Sequence, residues 1–389
     1  MAYGDFQFEI YLAGMTGERP ALPMTYAELK RAAHQVLSPE AAGYVAGGAG
    51  AEETMHANRG AFRRWQIVPR MLRQVAERDL SVELFGQTLP APVLCGPVGV
   101  LGIVHPDAER AVAAGVKAVG VPMVLSTVSS YSIEDVGAVL DGHPAWFQLY
   151  WPKDREVAAS LVDRAERAGF SAIVVTLDTW ALAWRPRDLG AAYLPFLQTL
   201  GLANYLSDPA FRAGLAKPPE EDPQAAVLQW AAMFGNPALT WSDIAWLRER
   251  TRLPVVVKGI CHPDDARAAA DAGVAGIIVS NHGGRQVDGA RPALDCLPDV
   301  AATVPDLPLL FDSGVRSGAD AVKALALGAR AVLVARPYVY GLALAGADGV
   351  RHVLRCLLAE LDLTLALSGH SRPADLSPAL LHHATPSRL

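Results

Sequence analysis

The chain has 389 residues, of which 51% are hydrophobic and 19% are charged, and its formal net charge is −6. A chain of this length can bury the core of one large α/β barrel or of two ordinary domains. The acidic balance argues against binding to nucleic acid or to an anionic membrane surface, because both call for clustered positive charge. No apolar run approaches the length of a membrane span.

Four cysteines, at positions 95, 261, 296 and 356, are scattered along the chain without metal-ligand spacing. This pattern indicates buried free thiols in a reducing cytoplasm, and no metal site is expected. The N-terminus lacks the basic start and apolar core of a signal peptide. Residues 1–24 are instead predicted to form an arm that lies over the domain or over a neighbouring subunit.

Two helices are predicted before the first strand. Thr25, with Glu28 three residues later, is typical of a capping box. Ser38 followed by Pro39 begins a second helix, which carries Tyr44 and ends at the glycine-rich stretch 47–50.

The rest of the chain repeats one unit, in which a helix ends in glycine and a short apolar strand follows. The glycines are Gly115, Gly169, Gly273 and Gly328, and each suits the left-handed residue that ends a helix. Eight strands are predicted, at 93–96, 123–127, 146–149, 173–176, 255–258, 277–280, 309–312 and 331–335. Helices between them include 154–168, 263–272 and 317–327. Alternating helices and strands imply a parallel sheet, and eight units imply a (β/α)8 TIM barrel over residues 25–370, with a C-terminal tail at 371–389. A doubly wound sheet is the alternative, but it rarely needs eight such units.

One connection is unusually long. Residues 178–241, after the fourth strand, show no clear repeat and contain several tryptophans and prolines. Loops of this length in compact domains are usually lids or binding loops, so we expect this segment to cover the site.

A short motif follows the sixth predicted strand. The buried strand ends in Ser-Asn-His-Gly-Gly-Arg-Gln at 280–286, where the two glycines allow a sharp turn. His282 is a candidate base near neutral pH, and Arg285 is a candidate partner for a carboxylate. Taken alone, the motif is equally consistent with two residues that only cap a turn.

Polar residues also follow the other predicted strands, although the strands themselves are apolar. In α/β barrels the active site lies at the carboxyl ends of the strands. After strands seven and eight, Ser313, Gly314, Arg316 and Arg336 suit a phosphate, and the helix beginning at Ser317 would offer its positive end. A plain turn with solvated arginines is the alternative. No glycine-rich dinucleotide motif is found, which argues against a Rossmann-bound nicotinamide.

The motif at 280–286 resembles the signature of the FMN-dependent α-hydroxy-acid oxidising family, and the resemblance extends from about residue 26 to residue 369. The stretches 177–180, 184–189, 204–205 and 207–209 are similar to the lactate 2-monooxygenase branch of that family. The resemblance therefore implies one FMN per chain as cofactor.

The family's roles are transferred residue by residue. The resemblance implies that His282 is the catalytic base and that Asp178 holds its imidazole. Arg185 and Arg285 would bind the substrate carboxylate, and two further residues would bind its carboxylate and hydroxyl group, namely Tyr44 and Tyr150. Lys258 would stabilise the anionic reduced flavin. The remaining implied cofactor residues are Pro97, Val98, Gly99, Ser126, Gln148, Thr176, Ser280, Asp312, Ser313, Gly314, Arg316, Ala335 and Arg336.

The chain departs from the family pattern at two positions. Ala335 stands where the family usually has glycine, and alanine would cost about 1 kcal/mol if the backbone there needs positive φ. Gly99 stands where most relatives have alanine. The lactate 2-monooxygenase branch also has glycine at this position. Without that methyl group, the keto acid could sit closer to the flavin, or oxygen could have a faster route to it.

The resemblance implies oxidation of an L-2-hydroxy acid, with L-lactate expected, by O2. Acetate, CO2 and water are the expected products, and an oxidase that releases keto acid and H2O2 is the alternative. A quinone-linked dehydrogenase, a redox-silent phosphate-binding barrel and a flavin protein without turnover are further alternatives. A homotetramer or homo-octamer is expected, with no nucleic-acid or membrane partner.

Overall fold

Twelve strands occur in residues 2–384, the part of the chain that the computed structural model describes, and eight of them form a closed parallel barrel. The strands are β1 (Trp65–Ile67), β2 (Val82–Leu84), β3 (Gln87–Leu89), β4 (Val93–Cys95), β5 (Met123–Leu125), β6 (Ala145–Leu149), β7 (Ile173–Thr176), β8 (Val255–Ile260), β9 (Gly276–Val279), β10 (Leu309–Phe311), β11 (Ala331–Val334) and β12 (Leu381–His383). Strands β4 to β11 pair in chain order, and β11 closes the barrel on β4. The predicted fold and all eight predicted strands are confirmed.

Helices surround the barrel and fill the long connection. They are α1 (Phe6–Met15), α2 (Tyr26–Val36), α3 (Pro39–Ala46), α4 (Glu53–Arg64), α5 (Ala108–Val119), α6 (Ile133–Leu140), α7 (Arg155–Arg167), α8 (Pro186–Gly190), α9 (Ala203–Leu206), α10 (Pro209–Ala213), α11 (Pro223–Met233), α12 (Trp241–Arg250), α13 (Pro263–Asp271), α14 (Ala293–Thr303), α15 (Gly318–Ala326) and α16 (Arg336–Leu367). Helix α16 is broken by non-helical backbone at Ala345 and Gly346. Short 3-10 helices lie at Tyr3–Asp5, Leu101–Ile103, Pro195–Gln198, Pro373–Asp375 and Pro378–Leu380.

The predicted helix starts are correct, and one predicted helix end is wrong. Thr25 and Ser38 cap α2 and α3 through their side-chain oxygens. Gly115, predicted to end a helix, lies inside α5, which ends instead at Gly120 with a φ of 85°. The glycine is needed for packing, because a Cβ at Gly115 would lie 2.7 Å from the Cβ of Val350 on α16.

The barrel interior is filled by side chains and closed at its N-terminal end. Each strand contributes an apolar residue to one inner cluster, in which the largest member is Trp146 of β6. The antiparallel hairpin β2–β3, which the sequence analysis did not predict, places Phe85 against the Trp146 ring at a centroid distance of 5.4 Å. The hairpin thus closes the N-terminal end of the barrel, and the cleft described below lies at the carboxyl ends of the strands.

Both terminal segments are attached to the barrel. The predicted arm contains the helix α1, and near its start the Gly4 N–H donates to Asp362 of α16 at 2.8 Å. In the predicted tail, β12 pairs antiparallel with β1. Within residues 2–384, no helix is both long and apolar enough to cross a membrane.

The first prediction concerns the contact between α15 and α16, which lies directly after the loop 312–316. A Cβ at Gly318 would lie 2.1 Å from the backbone nitrogen of Leu361. We expect Gly318→Ala to destabilise the protein by roughly 1–3 kcal/mol, because backbone atoms cannot move aside cheaply. The measurement is the change in Tm by calorimetry. Gly14→Ala is the matched control, since no atom of the described chain outside its own helix lies within 4 Å of a Cβ there. An unchanged Tm in Gly318→Ala would contradict this packing.

Candidate active site

A cleft opens at the carboxyl ends of the barrel strands, with an empty volume of about 1180 Å³ when its open mouth is included. It is the place where the predicted site residues meet. Those that line it are Tyr44, Pro97, Val98, Gly99, Tyr150, Arg185, Lys258, His282, Arg285, Asp312, Ser313, Gly314, Arg316, Ala335 and Arg336. They come from the ends of six barrel strands, from α3 and from the long connection.

A histidine–aspartate pair lies at one side of this cleft. His282 Nδ1 is 2.7 Å from Asp178 Oδ1, and Thr179 Oγ1 lies 3.1 Å from the same nitrogen. His282 has a φ of 57°, and its backbone N–H donates to Ser280 Oγ, so the turn itself aims the ring. When Nδ1 donates its proton to the carboxylate, Nε2 is left as the nitrogen that can accept a proton.

Burial keeps the histidine neutral, and the neighbouring positive charges keep the aspartate ionised. Burial lowers the pKa of His282, and Lys258 opposes its protonation, although the carboxylate of Asp178 acts in the other direction. Burial alone would raise the pKa of Asp178, but His282 and Lys258 outweigh it and hold that pKa at about 2. A neutral imidazole beside a fixed carboxylate is the arrangement of a general base.

Lys258, at the end of β8, carries the fixed positive charge of the cleft floor. Its ammonium lies 3.2 Å from Asp312 Oδ2 and donates to Ser280 Oγ at 3.0 Å. Burial would lower the pKa of Lys258, but Asp312 and Asp178 outweigh this effect and raise it. The side chain therefore stays cationic and can stabilise negative charge that develops above it.

Two arginines face the cleft near the histidine. Arg285 donates to the backbone oxygens of Tyr44 and Gly47, and its guanidinium stacks on the Tyr44 ring at 5.1 Å. Arg185 donates to Arg285 O and to Gln286 Oε1. Burial lowers the pKa of Arg285, and the charge of Arg185 lowers it further. Two adjacent guanidinium groups without a carboxylate hydrogen-bond partner in the described chain favour an anionic ligand.

The two tyrosines predicted to bind substrate also line the cleft, and both remain protonated. Burial raises the pKa of Tyr150 to about 12 and also raises that of Tyr44. The Tyr150 ring packs edge-on against Phe234 at 5.7 Å. Each hydroxyl group can therefore donate a hydrogen bond at neutral pH.

The second cationic region surrounds the loop 312–316 and suits a phosphate. Within residues 2–384 Arg336 donates only to backbone carbonyls, and burial with the charges of Arg316 and Arg285 lowers its pKa to about 9. The buried Nε of Arg316 has no hydrogen-bond partner in the described chain. Gly314, with a φ of 108°, lines the same wall. These features fit the phosphate of FMN.

One part of the phosphate prediction is wrong. The helix after Ser317 was expected to present its free N–H groups, but the Gly318 N–H donates to Glu360 and the Asp320 N–H donates to Ser317 Oγ. Ser317 does not line the cleft either. The positive charge at this wall therefore comes from arginine side chains.

Four of the predicted cofactor residues are buried and do not line the cleft in the described chain. They are Ser126, Gln148, Thr176 and Ser280. Gln148 joins three of these strand ends, because it donates to Thr176 Oγ1 at 3.0 Å and accepts from Ser126 Oγ at 3.2 Å. Ser280 accepts hydrogen bonds from both Lys258 and His282. In this structure they hold neighbouring strand ends together.

The two departures from the family pattern have clear structural outcomes. Ala335 has a φ of −127°, so alanine carries no left-handed penalty there. At Gly99 a Cβ would lie 2.5 Å from Val128 Cγ2 and 2.8 Å from Val128 O. The space left by the missing methyl group is thus occupied by Val128, which itself lines the cleft.

Several residues of the site were not assigned from the sequence. Thr179 contacts both members of the histidine–aspartate pair, and Gln286 holds Arg185 while donating to Asp178 O. Phe196 and Phe234 supply an apolar wall. Thr179 directly follows Asp178 in the sequence, and this adjacency could have identified it as a site residue. The two phenylalanines lie in the long connection, where no hydrophobic periodicity predicts which way a side chain faces.

Comparisons with known proteins agree with this geometry. A sequence model described as FMN-dependent dehydrogenase matches residues 33–383. The chain is 47% identical over 378 residues to the FMN-dependent alpha-hydroxy acid dehydrogenase qulF of Penicillium citrinum, covering 96% of this chain and 94% of that one. It is 43% identical over 362 residues to an L-lactate oxidase of Lysinibacillus sphaericus, covering 93% of each chain. The crystal structure of mandelate oxidase superposes with a TM-score of 0.82 at 39% identity, covering 92% of this chain and 98% of that chain.

The second prediction concerns the protonation of His282. Because burial lowers its pKa below the usual 6.5, the rate of anaerobic flavin bleaching by L-lactate should be constant above pH 6.5 and fall only at lower pH. His282→Ala should slow bleaching by ~10²–10⁴-fold while FMN stays bound. His56→Ala, at an exposed position on α4, is the control. A bleaching rate in His282→Ala equal to that of the wild type would refute the role.

Proposed function

Because this chain belongs to the FMN-dependent dehydrogenase family, we propose that it oxidises L-lactate with O2 and then decarboxylates the product to acetate. FMN-dependent oxidation of a 2-hydroxy acid is the activity of the family. The identity of the acid and the decarboxylation are the parts that we propose. The observation that carries the proposal is the neutral His282, held by Asp178, beside two guanidinium groups in a cleft that fits FMN.

The residues of the cleft have separate roles in the proposed oxidation. Arg185 and Arg285 bind the carboxylate of the hydroxy acid and so fix its C2 atom in the cleft. Tyr44 and Tyr150 donate hydrogen bonds to the substrate oxygens. His282 Nε2 takes a proton, and Asp178 stabilises the imidazolium that results. Bound FMN would supply the two-electron acceptor for the oxidation at C2, with O2 as the final acceptor and hydrogen peroxide as its reduced product.

The fate of the keto acid decides between the two products. If pyruvate leaves first, the products are pyruvate and H2O2. If pyruvate is still bound, a peroxide oxygen adds to its keto carbon, the C1–C2 and O–O bonds break, and acetate, CO2 and water form. Product release is commonly limited by the opening of a loop. The long connection over the cleft and the Gly99–Val128 wall support retention, whereas an oxidase that releases pyruvate is the alternative.

The third prediction tests this partition. Acetate, pyruvate and H2O2 are measured after complete consumption of L-lactate in air, and acetate should dominate for the wild type. Gly99→Ala should shift the products toward pyruvate and H2O2, because the new methyl group must displace Val128 from the cleft wall.

The double variant Gly99→Ala/Val128→Ala is the matched control. It removes the overlap with Val128 Cγ2, although the contact with Val128 O remains, so acetate should recover in part relative to Gly99→Ala. Val128→Ala alone reports the effect of the lost valine. If the wild type already releases stoichiometric pyruvate and H2O2, the monooxygenase proposal fails and the oxidase alternative stands.

A homotetramer or homo-octamer is our proposal for the assembly, and it is the fourth prediction. Helix α1 supports it, because its exposed side chains include Phe8, Tyr11, Leu12 and Met15, which share one helical face. Light scattering of the purified protein should give a mass of at least four chains, and a monomeric mass would contradict it.

The four free cysteines support our placement of the protein in the reducing cytoplasm, which cell fractionation would test.

A further inference from the structure

Two parts of the long connection are held differently. In the outer part, residues 179–200, large apolar side chains such as Trp180 and Trp184 are exposed. In the connection base, defined here as residues 201–213, the polar residues Asn204 and Asp208 are completely buried. Buried polar side chains need hydrogen-bond partners, so the partners of these two show what the connection base is attached to.

Asn204 attaches the connection base to the end of β5. Its Oδ1 accepts the Ile133 N–H at 2.8 Å, and its Nδ2 donates to Ser126 O at 3.3 Å and Thr127 O at 3.0 Å. One side-chain amide thus satisfies three backbone groups that follow β5. Because the site is buried, water cannot supply hydrogen-bond partners to these backbone groups.

The contact continues from β5 to the wall of the cleft. The Ala203 N–H donates to Ser129 O, and Val100 N–H donates to Val128 O at 2.8 Å. Gly201, with a φ of 75°, lies so close to Val100 that a Cβ would be 2.7 Å from Val100 Cγ2. Val100 itself has a φ of 58°, which a β-branched residue adopts only when its surroundings impose it. The connection base therefore packs directly behind Val100 and Val128, two residues of the cleft wall.

The other side of the connection base is held by Arg164 of α7. Its side chain is 5% exposed and donates to Glu134, to Asp208, to Ser207 Oγ and to Asn204 O. All five guanidinium N–H groups are used in this way. Asp208 in turn accepts from the first N–H groups of α10. The backbone of Asn204 is therefore fixed from behind while its side chain fixes the wall in front.

We propose that Asn204 is a positioning residue that holds the connection base against the Val100–Val128 wall and so slows the release of the keto acid. This inference rests on the proposed function, since it concerns the product of that reaction. Asn204 touches neither the substrate carboxylate partners nor His282. Its loss should therefore change retention of the product and leave the oxidation step almost unchanged.

The fifth prediction uses Asn204→Asp, which keeps the shape and the acceptor of the side chain but places oxygen against the Ser126 and Thr127 carbonyls. Pyruvate release from the anaerobically reduced enzyme, followed by stopped flow, should become about tenfold faster, as expected for losing donated hydrogen bonds. Flavin bleaching by L-lactate should stay within about threefold of the wild type. Hydrogen–deuterium exchange should rise in residues 126–133 and 201–213 and remain unchanged in the barrel strands β9 and β10.

Two further variants make the outcome decisive. Gln198→Ala, at an exposed position of the outer part, is the control and should release pyruvate at the wild-type rate. Ser207→Ala removes an exposed hydroxyl that accepts from Arg164, so it should speed release by about twofold to threefold. If Asn204→Asp does not retain FMN, the release rate of Ser207→Ala decides in its place.

The proposal is overturned if Asn204→Asp and Ser207→Ala release pyruvate at the wild-type rate, or if bleaching slows as much as release accelerates. A wild type that forms no acetate would reject the monooxygenase proposal, but the comparison of release rates would still decide the role of Asn204. Conversely, if Asn204→Asp releases pyruvate at the rate of the wild type, Asn204 does not have this role, even if the wild-type enzyme forms acetate.

Discussion

Positive charge held without carboxylate partners is the constraint on which this site depends. The guanidinium groups of Arg285 and Arg336 donate to backbone carbonyls of the described chain, and both have lowered pKa values. Charge that is removed from water without a counterion is costly, and an anionic ligand offsets that cost. The fold thus carries two cationic regions that suit anions, and in the proposed function these are the substrate carboxylate near His282 and the FMN phosphate near Arg316.

The barrel makes this arrangement possible because it brings both cationic regions and His282 to one edge, at the carboxyl ends of the strands. Lys258 stays cationic and is paired with Asp312, and Asp178 is hydrogen-bonded to the neutral His282, so neither carboxylate is a hydrogen-bond partner of the arginines in the described chain. Strand pairing fixes the spacing of the residues that lie at the strand ends, since each of these strands is paired with its neighbours. Hydrogen bonds from Gln148 and Ser280 then tie adjacent strand ends together beneath the cleft.

The space beside Gly99 in the cleft wall depends on residues that are distant in the chain. Gly99 and Val128 follow β4 and β5, and the valine methyl group occupies the space that an alanine at position 99 would need. Behind them, Gly201 and Asn204 of the long connection contact the same backbone. A change at any of these positions is transmitted by packing, because close-packed interiors relax only partially. Retention of a product can therefore be set by residues that do not touch it.

The sequence by itself determined the barrel, the helix N-caps at Thr25 and Ser38, and the residues that gather at the strand ends. Each of these depends on local periodicity or on a short motif, which are visible without the partner in space. Only the tertiary structure decided the features that depend on pairs of residues far apart in the chain. These are the plug formed by Phe85 against Trp146, the packing role of Gly115 against Val350, the capture of the Gly318 N–H by Glu360, and the partners of Asn204. A glycine or asparagine has the same local signature whether it ends a turn or meets another segment, so its role is set by what the fold brings to it.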